Sequence, residues 1–120
     1  MPAGFPAPNE GDIEEKLDLN EHLIRHKAAT FYVRVEGTSM KDEGIHPGDL
    51  LIIDRAETAR HGSIVLAVLN GEFTVKRLFK REGVVRLDPA NPDFSPITLS
   101  EEDDFCIWGV VTYVVHKCMA

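Results

Sequence analysis

Several things are scarce in this sequence, and each scarcity excludes a class of protein. There are two cysteines, Cys106 and Cys118, in 120 residues. They form no CxxC pair and no disulfide framework, so a reducing, cytoplasmic home fits better than secretion. No apolar run approaches the ~20 residues that a membrane-spanning helix needs. The longest, Ile64 to Leu69, is the size of a strand. Neither a membrane span nor a signal peptide is expected. Positive charge is short as well: 13 Lys and Arg stand against 20 Asp and Glu, a net charge of −7. A DNA-binding surface needs a basic footprint that neutralises phosphates and releases counterions. Direct, sequence-specific DNA binding by this chain is therefore not expected, and any link to DNA should run through a partner protein.

Apolar residues make up 43% of the chain, enough for one modest core in a domain of this length. The acid is unevenly placed. Glu10, Asp12, Glu14, Glu15, Asp18 and Glu21 fall in the first 21 residues, against Lys16 as the one base. The first nine residues, MPAGFPAPN, hold three prolines and a glycine. Such a stretch sustains neither a helix nor a central strand. Residues 1–19 are read as a mobile leader, and residues 20–120 as the folded domain.

Asn20 is a plausible N-cap for one short helix, with Glu21 in its first turn and Leu23 and Ile24 as its apolar side. From Thr30 onward the signal is β. Phe31, Val33 and Val35 alternate with polar residues. Leu50 to Ile53 and Ser63 to Leu69 are short apolar runs. Asn70-Gly71 is a strong hairpin signal, the type I′ turn, and predicts a returning strand over Glu72 to Phe79. Val84 to Leu87, Ile97 to Leu99 and Phe105 to Val115 complete the set, with Pro89-Ala90-Asn91-Pro92 as a turn. Many short strands and one weak helix predict a mainly β domain.

Two short motifs carry chemistry together that neither carries alone. Gly37-Thr38-Ser39-Met40 falls where a strand stops, before a loop rich in Gly and Pro. A serine there can expose its hydroxyl, with neighbouring backbone N–H groups aimed at one spot, as an oxyanion hole requires. By itself such a serine is an ordinary turn former. Lys76 lies in Phe73-Thr74-Val75-Lys76-Arg77-Leu78, where alternation puts it on one face with Thr74 and Leu78. By itself it is an ordinary strand lysine. A serine hydroxyl becomes a good nucleophile once a base takes its proton. A lysine serves as that base if burial keeps it uncharged, and Ser–Lys pairs are an attested form of the serine–base arrangement.

At this point the sequence resembles a family. Gly37-Thr38-Ser39-Met40, followed by Gly44-Ile45 and Gly48-Asp49-Leu50-Leu51-Ile52-Ile53-Asp54, is similar to the nucleophile segment of LexA/UmuD-type peptidases. Glu72 to Leu78 is similar to their base-bearing strand, and the step of 37 residues from Ser39 to Lys76 also fits. The likeness runs from Ala3 to the Trp108-Gly109-Val110-Val111 strand. It implies a fold of short, strongly curved antiparallel sheets with a short N-terminal helix. It implies Ser39 as nucleophile and Lys76 as general base, with the backbone N–H groups of Ser39 and Thr38 as oxyanion donors. Family members cut themselves at a small residue followed by glycine, and Ala3-Gly4 resembles that site. Only Met1, Pro2 and Ala3 precede Gly4, so the likeness is to the processed, UmuD-type form. The resemblance further implies a homodimer, activation by a RecA filament on single-stranded DNA, and partnership with a UmuC-like translesion polymerase in the SOS response. It calls for no cofactor.

Other readings are weaker. A Ser39–His61–Asp54 triad has nothing to support it beyond the residues' presence. His22 and His26, four apart, have a metal-like helical spacing. With no Cys and no third His nearby in sequence, they are read as surface histidines with no metal. Cys106 and Cys118 are read as buried or terminal cysteines. A signal-peptidase-like enzyme would need a membrane anchor. A LexA-type repressor's peptidase domain and a non-catalytic dimeric polymerase scaffold are the alternatives of note.

Overall fold

The computed structural model describes residues 18–119 together with Lys16. Most of the expected leader, Ala3-Gly4 included, lies outside these residues, and its last residue, Leu19, is in the first helix. Among the described residues one α-helix, α1 (Leu19–Leu23), precedes seven strands. They are β1 (Thr30–Arg34), β2 (Leu50–Asp54), β3 (Ile64–Leu69), β4 (Glu72–Arg81), β5 (Val84–Asp88), β6 (Ile97–Thr98) and β7 (Phe105–Val115). They form one sheet in the order β1-β2-β7-β3-β4-β5-β6, every neighbouring pair antiparallel. The mainly β expectation holds, with the short sheets joined into one. The helix begins earlier than expected: Asp18 is the N-cap, its carboxylate accepting the N–H of Asn20.

The core lies on both faces of the sheet's middle. Met40, Ile45, Leu51, Ile53 and Leu66 form one buried cluster, and Val65, Ala67, Leu78 and Leu87 the other. Strand β3 feeds both, Leu66 one side and Val65 and Ala67 the opposite one. A strand covered on both faces gains from apolar residues at every position, which is why Ile64 to Leu69 reads as a continuous run. Strand β7 is the bent one. Its register slips once against β2, where Thr112 is the extra residue, and once against β3, where Trp108 is. Each β-bulge bends and twists its strand. The β3–β4 turn is as expected: Asn70 and Gly71 have φ of 50° and 85°, as a type I′ turn demands.

Candidate functional site

The nucleophile segment has no ladder of its own. It leaves β1, turns at Gly37 (φ 80°) and runs into a single 3-10 turn, Lys41–Glu43. Apolar anchors fix it instead: Met40 and Ile45 are 3% and 1% exposed and sit in the first core cluster. Ser39, beside Met40, is half-buried and faces the other way, toward β4.

Lys76 comes to meet it. In β4 it stands opposite Val65 of β3 and is 8% exposed. Its Nζ lies 2.9 Å from Ser39 Oγ, 2.7 Å from Thr74 Oγ1 and 3.1 Å from the Val75 carbonyl oxygen. Thr74 is two residues away on the same face, as strand alternation requires. Burial lowers the Lys76 pKa below its ordinary 10.5, because an ammonium loses its hydration there. Among the described residues no carboxylate pairs with it to hold the proton on. The three contacts suit a neutral amine. Charged, the amine donates in all three; neutral, it would keep two N–H bonds for the Val75 carbonyl and the Thr74 hydroxyl and turn its lone pair to the Ser39 hydroxyl.

Around this pair opens a groove of about 450 Å³. Val33, Val35, Leu51, Leu66, Phe73 and Trp108 supply its apolar walls. Trp108 is held edge-on by Phe31, ring centroids 5.2 Å apart, and covered by the Arg55 guanidinium at 4.2 Å. The bulge that singles out Trp108 in β7 thus aims an aromatic side chain at the groove.

The other histidine readings part company with the site. His61 accepts the Lys80 N–H and packs on Phe79, while Asp54 binds His26 and the Ala56 N–H. Neither reaches Ser39. The helix ends at Leu23, so His26 does not share it with His22. His26 is not a plain surface histidine: its Nδ1 lies 2.7 Å from the buried carboxylate of Asp54 and 3.8 Å from Glu57. Both cysteines are free, and Cys106 is exposed rather than buried.

Two further residues contribute to the site without having been assigned a role from the sequence. Thr74 was legible from alternation alone, as a polar residue on the lysine's face. Asn91 was not: it lay in what reads as a plain turn, yet it is 5% exposed and bonds to the nucleophile segment.

With this geometry in view, the relatives are informative. The model of the family described as Peptidase S24-like matches residues 1–112. The protein ImpA of Salmonella typhimurium is 45% identical over 121 aligned positions, covering 96% of this chain and 78% of its own. The protein SamA of the same species is 50% identical, covering 97% of this chain and 80% of its own. The LexA repressor of Methylococcus capsulatus is 42% identical over 95% of this chain, which spans 56% of the repressor.

Proposed function

The chain belongs to the Peptidase S24-like family, and from that premise we propose that it is a self-cleaving serine peptidase of the SOS response, with Ser39 as nucleophile and Lys76 as general base. The observation that carries this reading is a buried amine 2.9 Å from a serine hydroxyl, with no carboxylate among the described residues paired to it. Ser39 Oγ attacks the carbonyl carbon of Ala3 and passes its proton to Lys76 Nζ. The N–H groups of Ser39 and Thr38 receive the oxyanion. As the tetrahedral intermediate collapses, the Ala3–Gly4 bond breaks and the Lys76 ammonium protonates the departing amine. Water, deprotonated by Lys76, then releases the ester from Ser39. The groove's apolar walls would seat the side chains flanking Ala3-Gly4.

The partners belong to the same proposal. The chain works as a homodimer, a RecA filament favours the pose in which the arm reaches Ser39, and the shortened product joins a UmuC-like polymerase. The likeness to a LexA repressor supports a second reading, in which this domain follows a DNA-binding segment and its self-cleavage ends repression.

The test is a protein carrying an arm fused before Met1, followed by mass spectrometry of the products. The parent should be cut after Ala3. Ser39→Ala and Lys76→Ala should each lose at least about 10³-fold in rate while melting as cooperatively as the parent. An unimpaired Lys76→Ala would refute the base assignment, and a folded, inert parent would leave the scaffold reading.

A further inference from the structure

We propose that Asn91 is a positioning residue for the nucleophile segment: it holds the Thr38–Ser39 peptide plane so that the Ser39 N–H faces the oxyanion. The proposal rests on the Ser39 reading above and extends it to a loop 53 residues away.

Asn91 sits between Pro89-Ala90 and Pro92, just after β5, and is buried. Its carboxamide does two things at once. Oδ1 accepts the Asp93 N–H at 2.9 Å, closing a local turn, and Nδ2 donates to the Thr38 carbonyl at 2.9 Å. The first bond fixes which end is oxygen, since an N–H needs an acceptor, and so the nitrogen must face Thr38. Asparagine is suited to the place because one short side chain must accept at one end and donate at the other. An aspartate carboxylate can accept but not donate.

The consequence lies in the peptide plane. In a planar trans peptide the C=O and the following N–H point opposite ways. Drawing the Thr38 carbonyl toward Asn91 therefore turns the Ser39 N–H away from this loop. Ala90 does the same to the next peptide, its N–H donating to the Ser39 carbonyl at 2.7 Å, while its own carbonyl accepts the Asp42 N–H at 2.8 Å. Residues 90 and 91 thus grip both peptides that flank the nucleophile and the turn that follows it. Among the described residues the Ser39 N–H donates to no backbone acceptor, so it is free for a developing oxyanion. The Thr38 carbonyl also accepts the Lys41 N–H, at a longer 3.2 Å. Losing Asn91 would leave that carbonyl partnered but less firmly aimed, so catalysis should suffer more than folding.

The decisive variant is Asn91→Asp, which keeps the acceptor for Asp93 and removes the donor to Thr38. An arm peptide supplied in trans gives kcat and KM, and a peptide ending in an alanine aldehyde reports on the oxyanion site. Removing an oxyanion donor costs about 10²–10³-fold in rate, so misaiming one should lower kcat by about 10–10²-fold. KM should stay within about twofold, aldehyde binding should weaken by the same factor as kcat/KM, and the pH midpoint should not move, as expected for a loss confined to the transition state. A rise in KM with kcat unchanged, equal weakening of peptide and aldehyde, or parental kinetics would each overturn the proposal. If Asn91→Asp does not fold, the parent answers by amide NMR. The Asn91 side-chain protons should be protected from exchange, and the Ser39 amide proton should move downfield when the aldehyde binds. Exchange of the Asn91 protons at the solvent rate would overturn the proposal. Ser39→Ala separates the two levels. If it still cleaves, the nucleophile assignment is wrong. If it is inert while Asn91→Asp matches the parent, only the positioning role fails.

Discussion

Lys76 illustrates how a residue's chemistry follows from where its strand is placed. In the unfolded chain its amine titrates near the ordinary 10.5, whereas burial lowers that value in the fold. Between the two values the unfolded chain binds a proton that the folded chain does not. Stability therefore rises with pH across that window, and below it the fold carries the full cost of burying an ammonium. Cleavage should follow the same titration, increasing with pH as the amine loses its proton and levelling once it is neutral; a rate that falls over that range would exclude Lys76 as the base. Lys76→Met fills the site without a charge. Its urea midpoint should lose the rise toward pH 10.5 that the parent shows, and an unchanged pH dependence would mean the amine is not desolvated. The serine and the lysine, each ordinary alone, were legible together because the motifs around them resemble a family's nucleophile segment and base-bearing strand. Asn91 was not legible, because its partner is a backbone carbonyl 53 residues away, which leaves no mark on either segment.

Elements were legible where one residue's preference determined them, and less so where neighbours did. The hairpin at Asn70-Gly71 was readable because positive φ at two successive positions is tolerated by few residue types. The helix start was missed by two residues, because Asp18 and Asn20 are both good caps and it is Asp18 whose carboxylate accepts a first-turn N–H, that of Asn20. The bulges in β7 were invisible, since register slips depend on the strands on either side. Gly109, next to the Trp108 bulge, does carry a signal in retrospect. A Cβ there would lie 2.5 Å from Ile53 Cγ2 and 3.4 Å from the Asp54 carbonyl, so β2 and β7 can approach as they do only with glycine. Overpacking of this kind costs about 1–3 kcal/mol. Gly109→Ala should lower stability by that amount in urea unfolding. The loss should shrink when Ile53 is also replaced by alanine, because the two changes share one contact and do not add. Simple additivity would show that the close approach is not what glycine permits.

At the scale of the molecule, the charge and the long-range ties decide behaviour. With a net charge of −7, the chain should show no measurable binding to duplex DNA in fluorescence anisotropy, even at the low salt that exaggerates phosphate contacts; salt-sensitive binding would contradict the partner-mediated link. The fold is also pinned by carboxylates that connect distant segments. Asp49, beside the nucleophile segment, accepts the His46 N–H and pairs with His116 beyond β7, and these bonds lower its pKa. For Asp54, burial pushes the pKa up, but His26 and the Ala56 and Glu57 amides outweigh it, and the net shift is down. Asp103 is lowered by the Ser100 amide and by Asn70 of the hairpin. Each carboxylate is thus more acidic folded than unfolded. Its contribution is fully present above the ordinary value of 3.8 and is lost as pH falls through the folded value. Acid should therefore release three long-range ties over one interval, giving a steep drop in Tm below about pH 4. Asp49→Asn removes one of them. Its Tm should lie below the parent's at neutral pH and converge with it as acid protonates the parent's Asp49. A constant gap at every pH would mean that Asp49 holds the C-terminal residues by shape rather than by charge.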